Sequence, residues 1–439
     1  MPRSFASLTS DFFSLGQDEN YYERLNALGD VVRREILAGL RDIALDIELF
    51  RDVQHLDVTQ TSLLRSIKPV VVQTQFHRMA MGGAKLSPYS FSYHSPEFDR
   101  YGAPTSPCRL DFEVIPQANP RTNVHVLIGP NGVGKSFTLN DIATALARPG
   151  SSAGKIEFHQ RADRLLASSF ANVVSVTYSA FDAFEPPRRQ STAKDAIHYK
   201  YVGLKTVAST EKSPPSLKDH VALAQEFGSS LKNVVDAQHL ERWRRYVALL
   251  TSDPLFAENV DRMMNVSSDD FRETARKLFG QLSSGHKIVL LILTRLVETV
   301  DEATLVLIDE PESHLHPPLL SAFMSALTEL LEDRNGVAII ATHSPVVVQE
   351  VPSNCVWKLF GSGSALTAQQ SVVETYGENV GTLTQEIFGL EVTKSGFHRV
   401  LGEAVQEGGT YEQILAKFDH RLGAEARALL QSMIFFAGR

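Results

Sequence analysis

Apolar residues recur at three- and four-residue intervals between residues 17 and 67, at Leu25, Leu28, Val32, Ile36, Leu40, Ile43 and Ile47. That period predicts helices with one apolar face, and the dipeptide Lys68-Pro69 predicts their end. From residue 70 the pattern changes. VVVQTQF, then YSFSYHS from 89 and RLDFEVI from 109, are separated by Gly/Pro clusters and predict strands. VHVLI, 124–128, is a short apolar run followed by glycine, typical of a strand buried on both faces of a parallel sheet. A helix is predicted from Ser136 to Ala147 and a further strand at VVSVTYS, 173–179.

From about 186 to 280 the chain becomes polar, with Pro186-Pro187 and Pro214-Pro215 marking loops and helical patterning from 217 to 251. Apolar strand patterns return at LVLI, 305–308, and VAII, 337–340, each preceded by a helical stretch; VWKLF follows, then a mixed helical pattern. Strand, helix, strand with buried strands predicts a parallel α/β sheet interrupted by an inserted, mostly helical lobe. The expected organisation is a helical extension over 1–69, the first half of a core over 70–185, the inserted lobe over 186–280, the second half over 281–360 and a helical extension over 361–439.

Composition narrows the classes. The 439 residues exceed one ordinary core. A formal charge of −8 argues against wholesale coating of nucleic acid and leaves room for a local basic groove. Cys108 and Cys355 are the only cysteines, far apart, which excludes a disulfide scaffold or a cysteine zinc site and suits a reducing cytoplasm. The longest apolar run, around IVLLILTRLVETV, is interrupted by Arg295 and Glu298 before it could span a bilayer. The opening residues lack a secretory apolar core, so the expectation is cytoplasmic, with no membrane partner.

Three constellations carry chemistry. GPNGVGKS, with Gly129, Pro130, Asn131, Gly132, Val133, Gly134, Lys135 and Ser136, fits G-x-x-x-x-G-K-[ST] and lies between a predicted strand and a helix that continues with Phe137. Its glycines let backbone N–H groups wrap a phosphate, Lys135 would reach the β- and γ-phosphates of ATP, and Ser136 would ligate Mg²⁺. In LVLIDEPE, 305–312, Asp309 ends a buried strand where Mg²⁺ would sit, directly or through water; Glu310 would act as general base or orient the attacking water. In ATHSP, 341–345, His343 would be a hydrogen-bonding sensor of the γ-phosphate. A fourth stretch, QLSSGHK at 281–287, opens the most apolar helix, where Ser283 or Ser284 could cap the first turn and Gly285 could allow a tight turn.

In this order, the phosphate loop, LSSGHK, LVLIDE and ATHSP resemble the nucleotide-binding domain of ABC-type ATPases, in the non-transporter branch of the SMC, RecF and OLD kind, over roughly residues 70 to 360. The resemblance implies a P-loop NTPase fold of the ABC-ATPase type, with an antiparallel β subdomain and an inserted helical lobe. It implies a homodimer, or a higher even oligomer, closed around two ATP molecules, in which Ser283, Ser284 and Gly285 serve nucleotide bound to the opposite subunit. The stretch departs from the usual LSGGQ at Ser284 and His286. The expected glutamine loop is not evident in VVSVTYSAFDAFEPP, where Ser179 and Asp182 are the candidates for its place. Glu312, His314 and His316 alternate like metal ligands; the preferred reading is a dimer-facing loop and a helix start at Pro317.

Three stretches (VVETYGENVGTLTQEIFGL, YSAFDAF and YKYVGLKT) resemble stand-alone ATPases of bacterial anti-phage operons, including Septu-type and retron-linked ones. That implies a partner effector, a nuclease or toxin encoded nearby. Two other classes stay open: a repair or recombination ATPase acting directly on DNA, and a slowly hydrolysing, ATP-gated scaffold. Arg188-Arg189 with Lys194, and ERWRRY at 241–246, are candidate nucleic-acid contacts, and for ERWRRY the preferred reading is a solvated helix face.

Overall fold

The computed structural model describes residues 7–65, 67–83, 85–98, 107–148, 150–159, 170–177, 197–206, 217–237, 239–251, 254–264, 271–362, 365–393 and 396–437. The chain forms two compact units, Met1–Tyr376 and Gly377–Arg439. In the larger unit the strands are, in chain order, β1 (Tyr89–His94), β2 (Arg109–Val114), β3 (Val124–Ile128), β4 (Lys155–His159), β5 (Asn172–Thr177), β6 (His198–Gly203), β7 (Thr304–Asp309), β8 (Val337–Thr342), β9 (Val356–Ser362) and β10 (Ala365–Gln370). Seven of them build one sheet in the order β10-β9-β3-β8-β7-β5-β6, parallel throughout except for the edge strand β10.

The near-continuous apolar runs are explained by this layering. Every residue of β3 and β8 is buried, and only Asp309, at the end of β7, rises above burial in that strand. The helix Lys135–Ala147 packs Leu139, Ile142 and Leu146 onto the sheet, and the antiparallel trio β2-β1-β4 closes over them with Phe91 and Phe112. Phe91 stacks on Phe112 at 4.9 Å between ring centroids and meets Phe170 edge-on at 5.0 Å. Helix Ser284–Thr299 lies against β5 and β6, and helix Pro317–Asp333 against β8.

VVVQTQF is not a strand. Residues Pro69–Ala80 form a continuous helical stretch with one widened turn over Val72–Phe76, and Pro69 opens it as a first-turn residue instead of ending the preceding helices. The β-branched composition suggested extended chain, but Val72, Phe76, Met79 and Ala80 share a helical face that fills the core of the N-terminal block beside Tyr22, Leu37 and Phe50. The helical block therefore runs about a dozen residues past the expected boundary. Within it, the Asp42 carboxylate accepts from the Tyr22 hydroxyl and the amides of Gly16 and Ala44, and burial pushes its pKa up to about 6.

Two ion pairs tie this block to the sheet. Lys68 pairs with Asp301, and the Arg78 Nη2 donates to Glu302 Oε1 at 2.7 Å with both side chains buried. Burial raises the Glu302 pKa even against Arg78.

The segment read as an inserted helical lobe also supplies β6, which pairs with β5 from Asn172↔His198 to Thr177↔Gly203. The helices His220–Asp236, Leu240–Ala248, Pro254–Met264 and Phe271–Gln281 follow it. The smaller unit holds the helices Val380–Thr393, Gly396–Gln406, Tyr411–Lys417 and Ala424–Ala437, with Leu401, Ile414 and Leu430 in its core. Among the described residues, no helix is long and apolar enough to cross a membrane.

The Arg78–Glu302 pair yields a stability prediction. Glu302→Ala strands a buried guanidinium and should cost about 3–5 kcal/mol in urea unfolding, whereas the double change Arg78→Met with Glu302→Leu should recover most of that loss. Equal losses in both would mean that the pair does not hold the block to the sheet.

Candidate functional site

The parallel register puts three chemistry-bearing turns at one edge of the sheet. Ile128 of β3 lies beside Thr342 of β8, and Ala341 of β8 lies beside Asp309 of β7. Consequently the phosphate loop, the acid pair and His343 all leave the sheet from adjacent strand ends, the carboxyl edge where α/β folds bind ligands.

The phosphate loop is shaped by its backbone. Gly132 and Gly134 have φ of 78° and 104°, values that side chains resist, and Gly134 caps the helix that begins at Lys135. Gly129 answers a different demand, because a Cβ there would sit 2.4 Å from the Leu359 carbonyl of β9. Lys135 is buried, and its Nζ donates to the carbonyls of Gly129 at 2.8 Å and Pro130 at 3.0 Å. Asn131 and Phe137 are exposed, while Pro130, Val133 and Ser136 are half-buried.

Glu310 adopts φ 46° and ψ 59°, a left-handed conformation unusual for a side-chain-bearing residue, and its amide donates to Ala341 O at 2.9 Å. His343 Nδ1 lies 3.6 Å from Glu310 Oε1 and 3.3 Å from Glu312 Oε1. Sequence reasoning placed Glu312 in a loop. Its Oε1 accepts from the Thr342 hydroxyl at 2.6 Å and from the His343 amide at 2.8 Å, so it clamps the turn that presents His343. The signal was the second glutamate of DEPE, whose partners at the end of the neighbouring strand, some thirty residues on, cannot be read from spacing. His316 caps the helix starting at Pro317, its Nδ1 accepting from Leu319 N at 3.1 Å.

The two serines of QLSSGHK divide their work. Ser283 is the cap, its hydroxyl accepting from the His286 amide at 3.3 Å, and Ser284 stands exposed at the first helical position. Gly285 is required by a close approach, since a Cβ would meet the His314 carbonyl at 2.8 Å. His286, at the place of the usual glutamine, is buried and stacks on Phe256 of the inserted helices at 4.5 Å. That makes it a packing residue.

The aromatic residues of ERWRRY are not a stacking platform. Trp243 is fully buried and donates from Nε1 to Thr294 Oγ1, Tyr246 is buried against Asp333, and Arg245 pairs with the same Asp333. Ser179, Asp182, Arg188, Arg189 and Lys194 lie outside the described residues.

The donor set suits a magnesium nucleotide. A buried lysine, a glycine-shaped loop at a helix start, a hydroxyl at Ser136 and the carboxylate of Asp309 at the adjoining strand end are oxygen and cation partners of the hard, phosphate-binding kind. Residues 155–349, which begin after the phosphate loop and include the acid pair and His343, match the domain family described as "AAA domain, putative AbiEii toxin, Type IV TA system". Among solved structures, an ATP-binding cassette of an ABC transporter in its ADP conformation is 13% identical over 70% of this chain and 99% of its own, with a TM-score of 0.35. A bacterial Atm1-family ABC exporter with ATP bound is 13% identical over 76% of this chain and 42% of its own, also with a TM-score of 0.35. The parallel sheet, the glycine-shaped loop between β3 and the helix that follows it, and the match of residues 155–349 to an AAA domain family give the chain an α/β fold of the P-loop NTPase kind. Protein ea59 of Escherichia phage lambda is 39% identical over 98% of this chain and 85% of the phage protein, and the chain belongs to the family of that protein.

Proposed function

We propose that the protein is a Mg²⁺-dependent ATPase that closes as a head-to-head dimer around two ATP molecules and uses that closure to switch a partner effector, a nuclease or toxin. The observation that carries this reading is the convergence of Lys135, Asp309, Glu310 and His343 on adjacent strand ends. Mg²⁺ held by Ser136 and Asp309 would neutralise charge on the β- and γ-phosphates. Phosphate oxygens would take over the donors that Lys135 now gives to loop carbonyls. Glu310, aimed by its backbone conformation, would orient and deprotonate the attacking water, and His343 would donate to the γ-phosphate. With Ser283 engaged as the cap, Ser284 and Gly285 are left to face a second nucleotide across the dimer. The effector and a role in conflict between phage and host are supported by the anti-phage-like sequence stretches, by a relative encoded in a phage and by a domain family whose description names a toxin system.

Lys135→Ala should abolish ATP binding in a titration. Glu310→Gln should retain it, lose turnover by ~10²-fold or more and accumulate closed dimer in a sizing experiment. Near-normal turnover in Glu310→Gln would assign the water to another group.

Glu312 acts as a positioning residue in this scheme. Glu312→Ala frees the His343 turn and should lower turnover by about 10-fold, the scale of one lost charge-assisted hydrogen bond, with ATP affinity unchanged. Glu312→Gln keeps an oxygen able to accept from Thr342 and His343 and should restore most of the rate. Equal rates in the two variants would remove Glu312 from the mechanism.

The dimer is tested by mixing. Ser284→Glu places a carboxylate against the partner's γ-phosphate and should block turnover while sparing ATP binding to single chains. Mixed with Lys135→Ala chains it gives heterodimers with one site doubly damaged and one intact, so ATPase activity should reappear. No recovery, with exchange of chains verified by cross-linking, would refute a site shared between subunits.

A further inference from the structure

At the opposite edge of the sheet from the phosphate loop lies a polar cavity of about 1060 Å³. Its walls come from the start of helix Glu19–Ala27, from the segment entering Pro69–Ala80, from the turn between His220–Asp236 and Leu240–Ala248, and from the residues preceding β7 and β8. The volume matches or exceeds that of ordinary small-molecule sites, roughly 300–1,000 Å³.

The charges on its floor are unequally satisfied. Asp301 is spoken for: Lys68 pairs with it and Asn172 Nδ2 donates to it at 3.0 Å. Two guanidinium groups are not. Arg334 has 9% of its side-chain surface exposed, and its nearest carboxylate among the described residues is Glu19, 3.9 Å away. Arg242 lies 3.7 Å from the other oxygen of Glu19. Both distances exceed hydrogen-bond range. Arg334 Nε and Arg242 Nη1 are buried with no hydrogen-bond partner among the described residues. Burial pushes the pKa of Arg242 below its usual value, with Glu19 the leading opposing influence. Lys85 adds a third cation at 3.7 Å from the same carboxylate. One glutamate is thus shared loosely by three cations.

Guanidinium is a planar fork of donors that matches phosphate oxygens and gains most when desolvated. The exposed rim carries the side-chain amides of Asn20, of Gln17, whose Nε2 donates to the Leu15 carbonyl at 3.3 Å, and of Asn233, whose Nδ2 donates to Glu298 Oε1 at 2.7 Å; amides hydrogen-bond sugars and heterocycles. We propose that this cavity is a second ligand site, distinct from the ATP site, that takes a nucleotide-sized phosphate ester with its phosphate docked between Arg242 and Arg334. Glu19 is the stand-in anion that the phosphate displaces. Because the walls belong to the N-terminal helices, the inserted helices and the sheet, the bound ester braces all three.

The test uses the full chain carrying Lys135→Ala, which removes phosphate-loop binding, so that its outcome does not depend on the ATPase reading. Pyrophosphate and AMP are the probes, followed by calorimetry and by the thermal midpoint. Both should bind this chain and raise its midpoint. Adding Arg242→Gln should weaken binding at least ~10-fold, the worth of one charge-assisted contact, with the circular dichroism spectrum unchanged. Adding Glu19→Gln should do the opposite and tighten binding several-fold, because it removes the competing anion. A merely structural role for Glu19 cannot produce that gain. If Arg242→Gln unfolds the chain, Arg334→Lys and Glu19→Gln decide with the same two readouts. Failure of both probes to bind the Lys135→Ala chain would overturn the proposal, as would affinities that do not respond to Glu19→Gln.

Discussion

The register of three parallel strands is the constraint on which the rest depends. The phosphate loop, the acid pair and His343 are spread over some two hundred residues of chain, each on a separate turn. They become one site because Ile128, Thr342, Ala341 and Asp309 are held side by side by ladder hydrogen bonds. A slip of one residue in β8 would turn every one of its side chains to the other face. That is prevented by burial: β3 and β8 expose nothing, so each alternative register would move apolar groups out of a filled layer.

Fine positioning above that register is electrostatic and stereochemical. Glu312 anchors the turn after β8 through two hydrogen bonds to one oxygen, and Glu310 owes its direction to a left-handed backbone. Residues in such sparsely populated conformations carry strain of about 1–3 kcal/mol and cluster where function requires them. The buried lysine of the phosphate loop likewise lies folded onto carbonyls that phosphate can replace at little reorganisation. The three features share a logic of polar groups held in advance by the protein, so that a bound phosphate would have little ordering left to impose.

Much of this was legible in the amino-acid sequence because the signals are local. The buried strands announce themselves by composition, the phosphate loop by its glycines and lysine, and the helix after Pro317 by its prolines. The misreadings arise where a local signal competes with tertiary packing. VVVQTQF has the composition of a strand but follows a helical face into a core that only the fold creates. Strand β6 sits in a polar stretch and is recruited by pairing with β5. ERWRRY, preferred as a solvated helix face, instead buries Trp243 and Tyr246. A further reason for the identity of Glu312 and of Gly129 is invisible in the sequence, because their partners, at Thr342, His343 and Leu359, lie far away along the chain.

The contact between Gly285 and the carbonyl of His314 has a mechanical consequence. Helix Ser284–Thr299 begins against the short turn that follows Glu310 and Glu312, with no room for even a methyl group between them. Close-packed backbones transmit displacement and do not absorb it. A shift of the turn bearing the two glutamates would therefore carry the exposed Ser284 with it. A displacement of the acids would also re-aim the helix end on the surface, which couples the carboxyl edge of the sheet to an exposed position some twenty-five residues earlier in the chain.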